Sequence, residues 1–262
     1  MIGIGATLFK VARTVGSRGF SPAALFASGE EGAWYDPSDL STLFEEDGTT
    51  PASVNGPVGK ILDKSGNGNH LIQTTETKCP TLKLASGLYY LEFDGVDDGL
   101  QSAAIDFTGT DSMSVFAGAR KEADEVAVIG ELSANVGNNN GTFRLASIGG
   151  NIWRYSSKGT SVVNANSNEY TPPVTSVLTG LSDISDDVNT LRVDGVQKSS
   201  PTSNQGTGNY GNYALNVGAR NNGDSLELDG RIYGLIVRGV ISNADEIAST
   251  EKYIGAKTGV SI

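Results

Sequence analysis

The residue types that carry most acid–base and metal chemistry are nearly missing from this chain: 262 residues include one histidine, His70, and one cysteine, Cys79. A lone cysteine excludes an intramolecular disulfide framework and a cysteine-built metal centre. A lone histidine excludes a multi-histidine metal site and leaves a single way to assemble a Ser–His–acid triad. His70 sits in a Gly/Asn turn without a nucleophile elbow, so no triad is expected there. Positive charge is scarce too. Against 30 Asp and Glu stand 19 Lys and Arg, a net charge of -11, whereas nucleic-acid affinity rests largely on Lys and Arg at phosphates. No apolar run approaches the roughly 20 residues that cross a bilayer. The apolar stretch from Ile2 to Phe9 is short and precedes its positive charges, the reverse of a secretory signal. These absences argue against nucleic-acid partners and membrane insertion, and for synthesis and assembly in a cytoplasm.

What is abundant is glycine, 34 residues, together with Ser, Thr and Asn. That composition suits short strands joined by turns, and the length fits one large β-sandwich. Strands are predicted over 113–120, 125–133, 142–148, 151–155, 161–164, 174–181, 189–193, 213–219 and 226–239. Shorter extended pieces are predicted at 58–62 and 71–83. Asp194-Gly195, flanked by Leu191-Arg192-Val193 and Val196-Gln197-Lys198, predicts a type I′ hairpin. The nearly continuous apolar run from Ile232 to Val240 predicts a central strand. Residues 242–254 predict a helix, with Asn243 and Glu246 as a capping box and Gly255 as the stop. Asp36-Pro37 predicts a one-turn helix with Leu40, Leu43 and Phe44 turned inward.

Residues 1–29 read differently from the rest. They carry Lys10, Arg13 and Arg18 and no acidic residue, with apolar positions set among glycines. We read them as a docking leader, with Ile2, Ile4, Leu8, Phe9, Lys10 and Arg13 as the assembly anchor. Residues 30–262 form the sandwich, and 30–57 are a lead-in segment packed on it.

One stretch concentrates charge. Tyr90-Leu91-Glu92-Phe93-Asp94 alternates as a strand, then Gly95-Val96-Asp97-Asp98-Gly99 turns the chain. Its three carboxylates, Asp94, Asp97 and Asp98, face water, bind a cation or mark an architectural corner. We read a corner, with Phe93 and Leu100 in the core. Calcium is the alternative, either here or at Asp63-x-Ser65-x-Asn67-Gly68. That run matches the first half of a calcium loop, but its twelfth position is Thr74 instead of the bidentate Glu. No other cofactor is expected.

Phe93-Asp94-Gly95-Val96-Asp97-Asp98, the Asp194-Gly195 hairpin, Leu215-Asn216-Val217-Gly218 and Leu228-Asp229-Gly230-Arg231-Ile232-Tyr233-Gly234-Leu235-Ile236-Val237 occur in an order that resembles laminin-G-like, concanavalin A-like domains. The resemblance covers roughly 58–255. It implies an all-β jelly-roll sandwich of two antiparallel sheets closed by one short C-terminal helix. Upstream, Gly32-Ala33-Trp34-Tyr35-Asp36-Pro37-Ser38-Asp39 and Asp63-Lys64-Ser65-Gly66-Asn67-Gly68-Asn69-His70 resemble tailed-bacteriophage and prophage virion proteins. That likeness implies a structural protein on the particle surface, as tail fibre, spike or head decoration. Its partners would be other virion proteins, symmetry mates (a trimer fits) and host surface polysaccharide.

For glycan contact the candidates are aromatics and an amide in Asn/Gly-rich settings: Trp153, Tyr155, Asn209, Tyr210 and Tyr213. The alternative function is therefore a lectin-like module. Polysaccharide cleavage is disfavoured. Glu227-Leu228-Asp229-Gly230-Arg231 lacks the second catalytic carboxylate of the hydrolases that use Glu-x-Asp-x-Glu on this fold, and retaining hydrolysis needs two.

Overall fold

The computed structural model describes residues 19–133 and 135–262. The proposed anchor residues Ile2, Ile4, Leu8, Phe9, Lys10 and Arg13 lie outside the described residues. The chain begins with a 3-10 turn (Pro22–Phe26) and then four short strands: β1 (Gly32–Tyr35), β2 (Leu43–Phe44), β3 (Lys60–Ile61) and β4 (Leu71–Ile72). Next come β5 (Thr81–Ala85), β6 (Leu88–Asp94), β7 (Leu100–Asp106) and β8 (Ser112–Lys121). β9 (Ala127–Leu132), β10 (Thr142–Ile148), β11 (Ile152–Lys158) and β12 (Val162–Ser167) follow. β13 (Val174–Asp183), β14 (Val188–Val193), β15 (Val196–Ser199), β16 (Asn212–Val217) and β17 (Asp229–Arg238) lead to the helix α1 (Ala244–Thr258).

The strands form two antiparallel sheets. Sheet A has eight strands in the order β15-β14-β13-β8-β17-β6-β5, with β1 also paired to β17. Sheet B has nine, in the order β12-β11-β10-β9-β16-β7-β4-β3-β2. The core lies between them and includes Leu91, Phe93, Leu100, Ile105, Phe143, Leu145, Trp153, Tyr155, Leu215, Val217, Leu235 and Val237. This is the jelly-roll sandwich expected from the sequence.

A second apolar layer explains why β8 and β17 read as unbroken apolar runs. Sheet A is covered on both faces, and such strands have no face left for polar residues. On its outer side Phe116, Val177 and Ile236 meet Trp34, Leu25, Phe26 and Ile254. α1 rests on this layer, and Gly118 makes its close approach possible: a Cβ there would lie 2.5 Å from Thr258 Cγ2 and 3.0 Å from Ile254 Cγ2. β12, by contrast, alternates exposed and buried along its whole length. It has only one face to bury, so its other face carries Asn164 and Asn166 into water.

Local signals translated directly. Asp194 (φ 51°) and Gly195 (φ 78°) make the two-residue turn between Val193 and Val196, and Asn243 with Glu246 closes a complete capping box. β17 is central, between β8 on one side and β6 and β1 on the other.

Three expectations need correction. The helix does not stop at Gly255 but runs to Thr258, and Gly259 (φ 75°) ends it. Gly255 is instead a packing position, where a Cβ would lie 2.8 Å from both Ile262 Cγ1 and the Val260 carbonyl. Asp36 caps no helix. It opens a turn before the 3-10 segment Leu40–Thr42, and Leu40 is exposed while Leu43 is buried. The segment 71–83 is not continuously extended, because residues Glu76–Lys78 form a 3-10 turn between β4 and β5. Within the 1–29 segment, Leu25 and Phe26 belong to the layer under α1.

Candidate functional site

The acidic stretch is where the chain leaves sheet A and enters sheet B, since β6 and β7 belong to different sheets. Phe93 and Leu100 flank it in the core, 1% and 0% exposed. The turn is self-bonded: Asp94 Oδ1 accepts the Val96 N–H at 2.8 Å, and Asp98 Oδ2 accepts the Asp94 N–H at 3.0 Å. Asp98 is buried, and that burial, with the charges of Asp94 and Asp97 beside it, pushes its carboxyl up to about 7. Oxygens of Asp94, Asp97 and Asp98 lie within 4.8 Å of one another. As hard oxygen donors they suit Ca²⁺, although one oxygen of Asp94 and one of Asp98 already accept backbone N–H groups.

Beside this corner the outer face of sheet A opens a pocket of about 200 Å³ lined by Glu92, Asp94, Asp98, Glu122, Asp229 and Arg231, among others. Register assembles it: Asp229 stands opposite Asp94, and Arg231 lies between Glu92 on β6 and Arg120 on β8. Glu122 holds both arginines, at 2.6 Å from Arg120 Nε and 3.1 Å from Arg231 NH2. Burial, then the charges of Glu122, Asp94 and Glu92, raises the Asp229 carboxyl above its ordinary value. Glu92, Asp94 and Glu122 thus come beside Asp229 from other parts of the fold, a grouping that one strand's sequence does not reveal.

The second calcium candidate is a clamp. Asp63 Oδ1 accepts the Trp34 and Ser65 N–H groups at 2.9 and 2.8 Å, and its Oδ2 accepts the Ser65 hydroxyl and the Asn69 N–H at 2.7 and 3.0 Å. Asn67 Nδ2 donates to the carbonyls of Glu30 and Gly32. In this structure the Asp63 and Asn67 side chains bind the loop to β1. His70 joins them, its Nδ1 accepting the Asp63 N–H at 3.0 Å. Asp36 works in the same way at the other end of β1. It accepts from the Ser38 hydroxyl (2.7 Å), Tyr253 (2.8 Å) and Lys257 (3.0 Å), which ties β1 to α1. Burial opposes its ionisation, yet Ser38, Lys257 and Tyr253 together hold its carboxyl at about 2.

The aromatic glycan candidates are placed differently from expectation. Trp153, Tyr155 and Tyr210 are 0%, 0% and 1% exposed, so they present no ring face to a sugar, and that reading is corrected. Trp153 and Tyr155 alternate inward on β11. The hydroxyls of Tyr155 and Tyr210 meet the Ser182 hydroxyl at 2.8 and 2.6 Å, and Tyr210 also meets Ser157 at 2.7 Å. Two buried phenols are tolerable because both are hydrogen-bonded. Tyr213 is half-buried against the core, its hydroxyl donating to the Asn140 carbonyl at 3.2 Å. Asn209 is exposed and donates to the Thr108 carbonyl.

What the sequence reading missed is the outward face of sheet B. The residues between the inward aromatics of β10 to β12 point out: Arg144, Arg154, Ser156, Asn164 and Asn166. Arg154 Nε donates to Asn166 Oδ1 at 2.7 Å, and Ser156 donates to Asn164 Oδ1 at 2.6 Å. Toward the sheet centre Asn216 donates to the Ser133 carbonyl at 2.9 Å and accepts from Gln101 at 2.8 Å. The result is a face of guanidinium and amide groups on paired strands, with the buried Ser156 and Asn216 bonding beneath it. Its sequence signal was the two-residue alternation of polar side chains through β10, β11 and β12.

No protein-family model matches the sequence, and no curated protein matches it. Solved structures do resemble it. The botulinum neurotoxin serotype D binding domain is 10% identical with a TM-score of 0.59, over 86% of this chain and 51% of that one. Domain 4 of a GH43 extracellular arabinanase from Geobacillus stearothermophilus, in complex with arabinotriose, is 14% identical with a TM-score of 0.55, over 83% of this chain and 98% of that one. A Trypanosoma rangeli sialidase in complex with the inhibitor DANA is 12% identical with a TM-score of 0.55, over 88% of this chain and 34% of that one. The chain spans about half the length, or less, of the first solved structures it matches. At these identities the likeness establishes the jelly-roll fold, a fold that hosts many functions.

Proposed function

We propose that the chain is a non-catalytic recognition module that binds polysaccharide on the outward face of sheet B. The observation that carries this is the ordered array of Arg154, Asn166 and Asn164 on adjacent paired strands, with the buried Ser156 holding Asn164 from beneath. Planar amides and guanidinium groups at fixed spacing suit sugar hydroxyls and anionic substituents. The arabinanase domain supports the reading, because it matches this chain over nearly its whole length and is solved with arabinotriose. The upstream resemblance to tailed-phage virion proteins adds the setting. The module would be displayed in several copies on the particle surface, where repeated weak sites gain by multivalency. Residues 1–18 would supply the attachment.

A glycan array with assembled protein tests the recognition, with a chelator arm to test whether calcium at Asp94, Asp97 and Asp98 assists it. Arrays blank in both arms would defeat the proposal. Deleting residues 1–18 leaves Leu25 and Phe26 in place and is expected to abolish particle attachment without loss of fold; normal attachment would defeat the docking role. One observation favours a second reading, polysaccharide cleavage in the acidic pocket: Asp98, held near neutrality, stands among other carboxylates. It predicts new reducing ends from a bound polysaccharide, lost in Asp98→Asn.

A further inference from the structure

Three arginines share the outward side of sheet B and its rim, and among the described residues only Arg220 is neutralised by contact. Glu131, fully buried, takes Arg220 in a two-point bond, Nε to Oε2 at 3.0 Å and NH2 to Oε1 at 2.9 Å. Its Oε1 also accepts the Val136 N–H at 2.7 Å. Arg144 stands opposite Glu131 in the β9–β10 ladder but forms no ion pair with it.

Arg144 also stands opposite Ser156 on β11, while Arg154 stands opposite Ala146 on β10. The two arginines are therefore diagonal neighbours on one face, a relation that places Cα atoms roughly 7–8 Å apart. Arg144 Nε is buried and has no partner among the described residues. Arg154 is bonded to the neutral amide of Asn166 and, among the described residues, meets no carboxylate within ion-pair distance. Burial pulls the Arg144 pKa below its ordinary value; Glu131 acts against that, and the charges of Arg220 and Arg154 add to it.

This is an unusual arrangement for a chain with 30 acidic residues and 19 basic ones. Most other outward arginines have found carboxylates: Arg120 and Arg231 share Glu122, Arg192 holds Glu251, and Arg238 holds Glu30 and Glu246. Two adjacent guanidinium groups repel each other, and an anion set between them reverses the sign of that interaction. Guanidinium forks match the geometry of carboxylate and sulfate oxygens. The side chain opposite Arg154 is the small, buried Ala146, and the exposed amides of Asn164 and Asn166 stand next along β12.

We propose that Arg144 and Arg154 form an anion subsite that takes the carboxylate or sulfate of an acidic polysaccharide, with Asn164 and Asn166 on the neighbouring sugar hydroxyls. This rests on the polysaccharide-recognition reading and narrows its ligand class.

Titration calorimetry on the full chain tests it with three probes: polygalacturonate for carboxylate, dextran sulfate for sulfate, and dextran as the neutral control. The wild type is expected to bind at least one acidic polymer at least tenfold more tightly than dextran. Arg144→Gln and Arg154→Gln should each weaken that binding at least tenfold, with the melting temperature of Arg154→Gln, the more exposed position, serving as the check on fold. Lys252→Gln, on the exposed side of α1, should leave it unchanged. Acidic polymers that bind no better than dextran, or equally well to both arginine variants, overturn the subsite. If neutral glycans bind on the array while the acidic probes do not, the subsite fails and polysaccharide recognition stands. If nothing binds in either experiment, both fail.

Discussion

Asp98 shows how a single residue records its surroundings. Its carboxyl, ordinarily near 3.8, is pushed up to about 7 by burial and by Asp94 and Asp97. Between those two values the unfolded chain has released the proton and the folded chain still holds it. Folding then takes up a proton, and stability falls as pH rises through this window. Asp98→Asn should remove that fall, because the amide oxygen still accepts the Asp94 N–H and carries no charge. At pH 8 the variant is expected to be more stable than wild type by about 1–2 kcal/mol. Chemical denaturation from pH 4 to 8 checks this, and parallel pH profiles for the two proteins would contradict it. Asp36 is the opposite case. Its carboxyl is held at about 2, so its contribution is present above pH 3.8 and is lost only as pH falls toward 2. Asp36→Asn leaves Lys257 short of a charged partner, and a cost of about 3 kcal/mol is expected near neutrality, read from the shift of the denaturation midpoint.

Among the elements, α1 joins a locally specified start to a seat fixed by contacts distant in sequence. Its start is local: Asn243 accepts the Asp245 and Glu246 N–H groups, and Glu246 returns a bond to the Asn243 N–H. That reciprocity could be read from a four-residue run. Its end could not. Gly255 resembles a helix stop, but its missing side chain serves the return of Val260 and Ile262 over the last turn. The seat of α1 on sheet A requires Gly118, from a strand more than a hundred residues earlier. Gly118→Val should push against Thr258 and Ile254 and cost about 1–3 kcal/mol. Hydrogen exchange should rise in α1 while β10 to β12, in the other sheet, keep their protection; uniform loss of protection would contradict the assignment of Gly118 to helix docking.

The same distinction governs what was legible of the site. Strand alternation located β6 and the inward direction of Phe93, short turn-bounded runs located β10 and β12, and the Asp–Gly pairs marked the acidic turn as a corner. It did not separate Trp153, Tyr155 and Tyr210 from surface aromatics, because Asn- and Gly-rich surroundings are common both to sugar sites and to tightly packed turns. Ser157 and Ser182, which satisfy the buried phenols, lie on other strands. The Arg144–Arg154 pair was hidden for a related reason. Each is an ordinary outward residue in its own strand, and only the β10–β11 register makes them neighbours.

At the scale of the whole molecule, charge and surface are segregated. The outer face of sheet A is largely closed by α1 and the 22–26 turn, and where it opens the lining is dominated by Glu and Asp. The outward face of sheet B near β10 to β12 carries half-buried Arg144 and Arg154, with no carboxylate in ion-pair contact among the described residues, beside the exposed amides of Asn164 and Asn166.

The central claim is that the β10–β12 face of sheet B is the recognition surface. Hydrogen–deuterium exchange of the full chain, with and without the polysaccharide most strongly retained on the array, tests it most directly. The account predicts slower exchange in peptides covering 142–167 and unchanged exchange in those covering 92–98 and 227–231. Protection at the acidic pocket instead, with 142–167 unchanged, would contradict it.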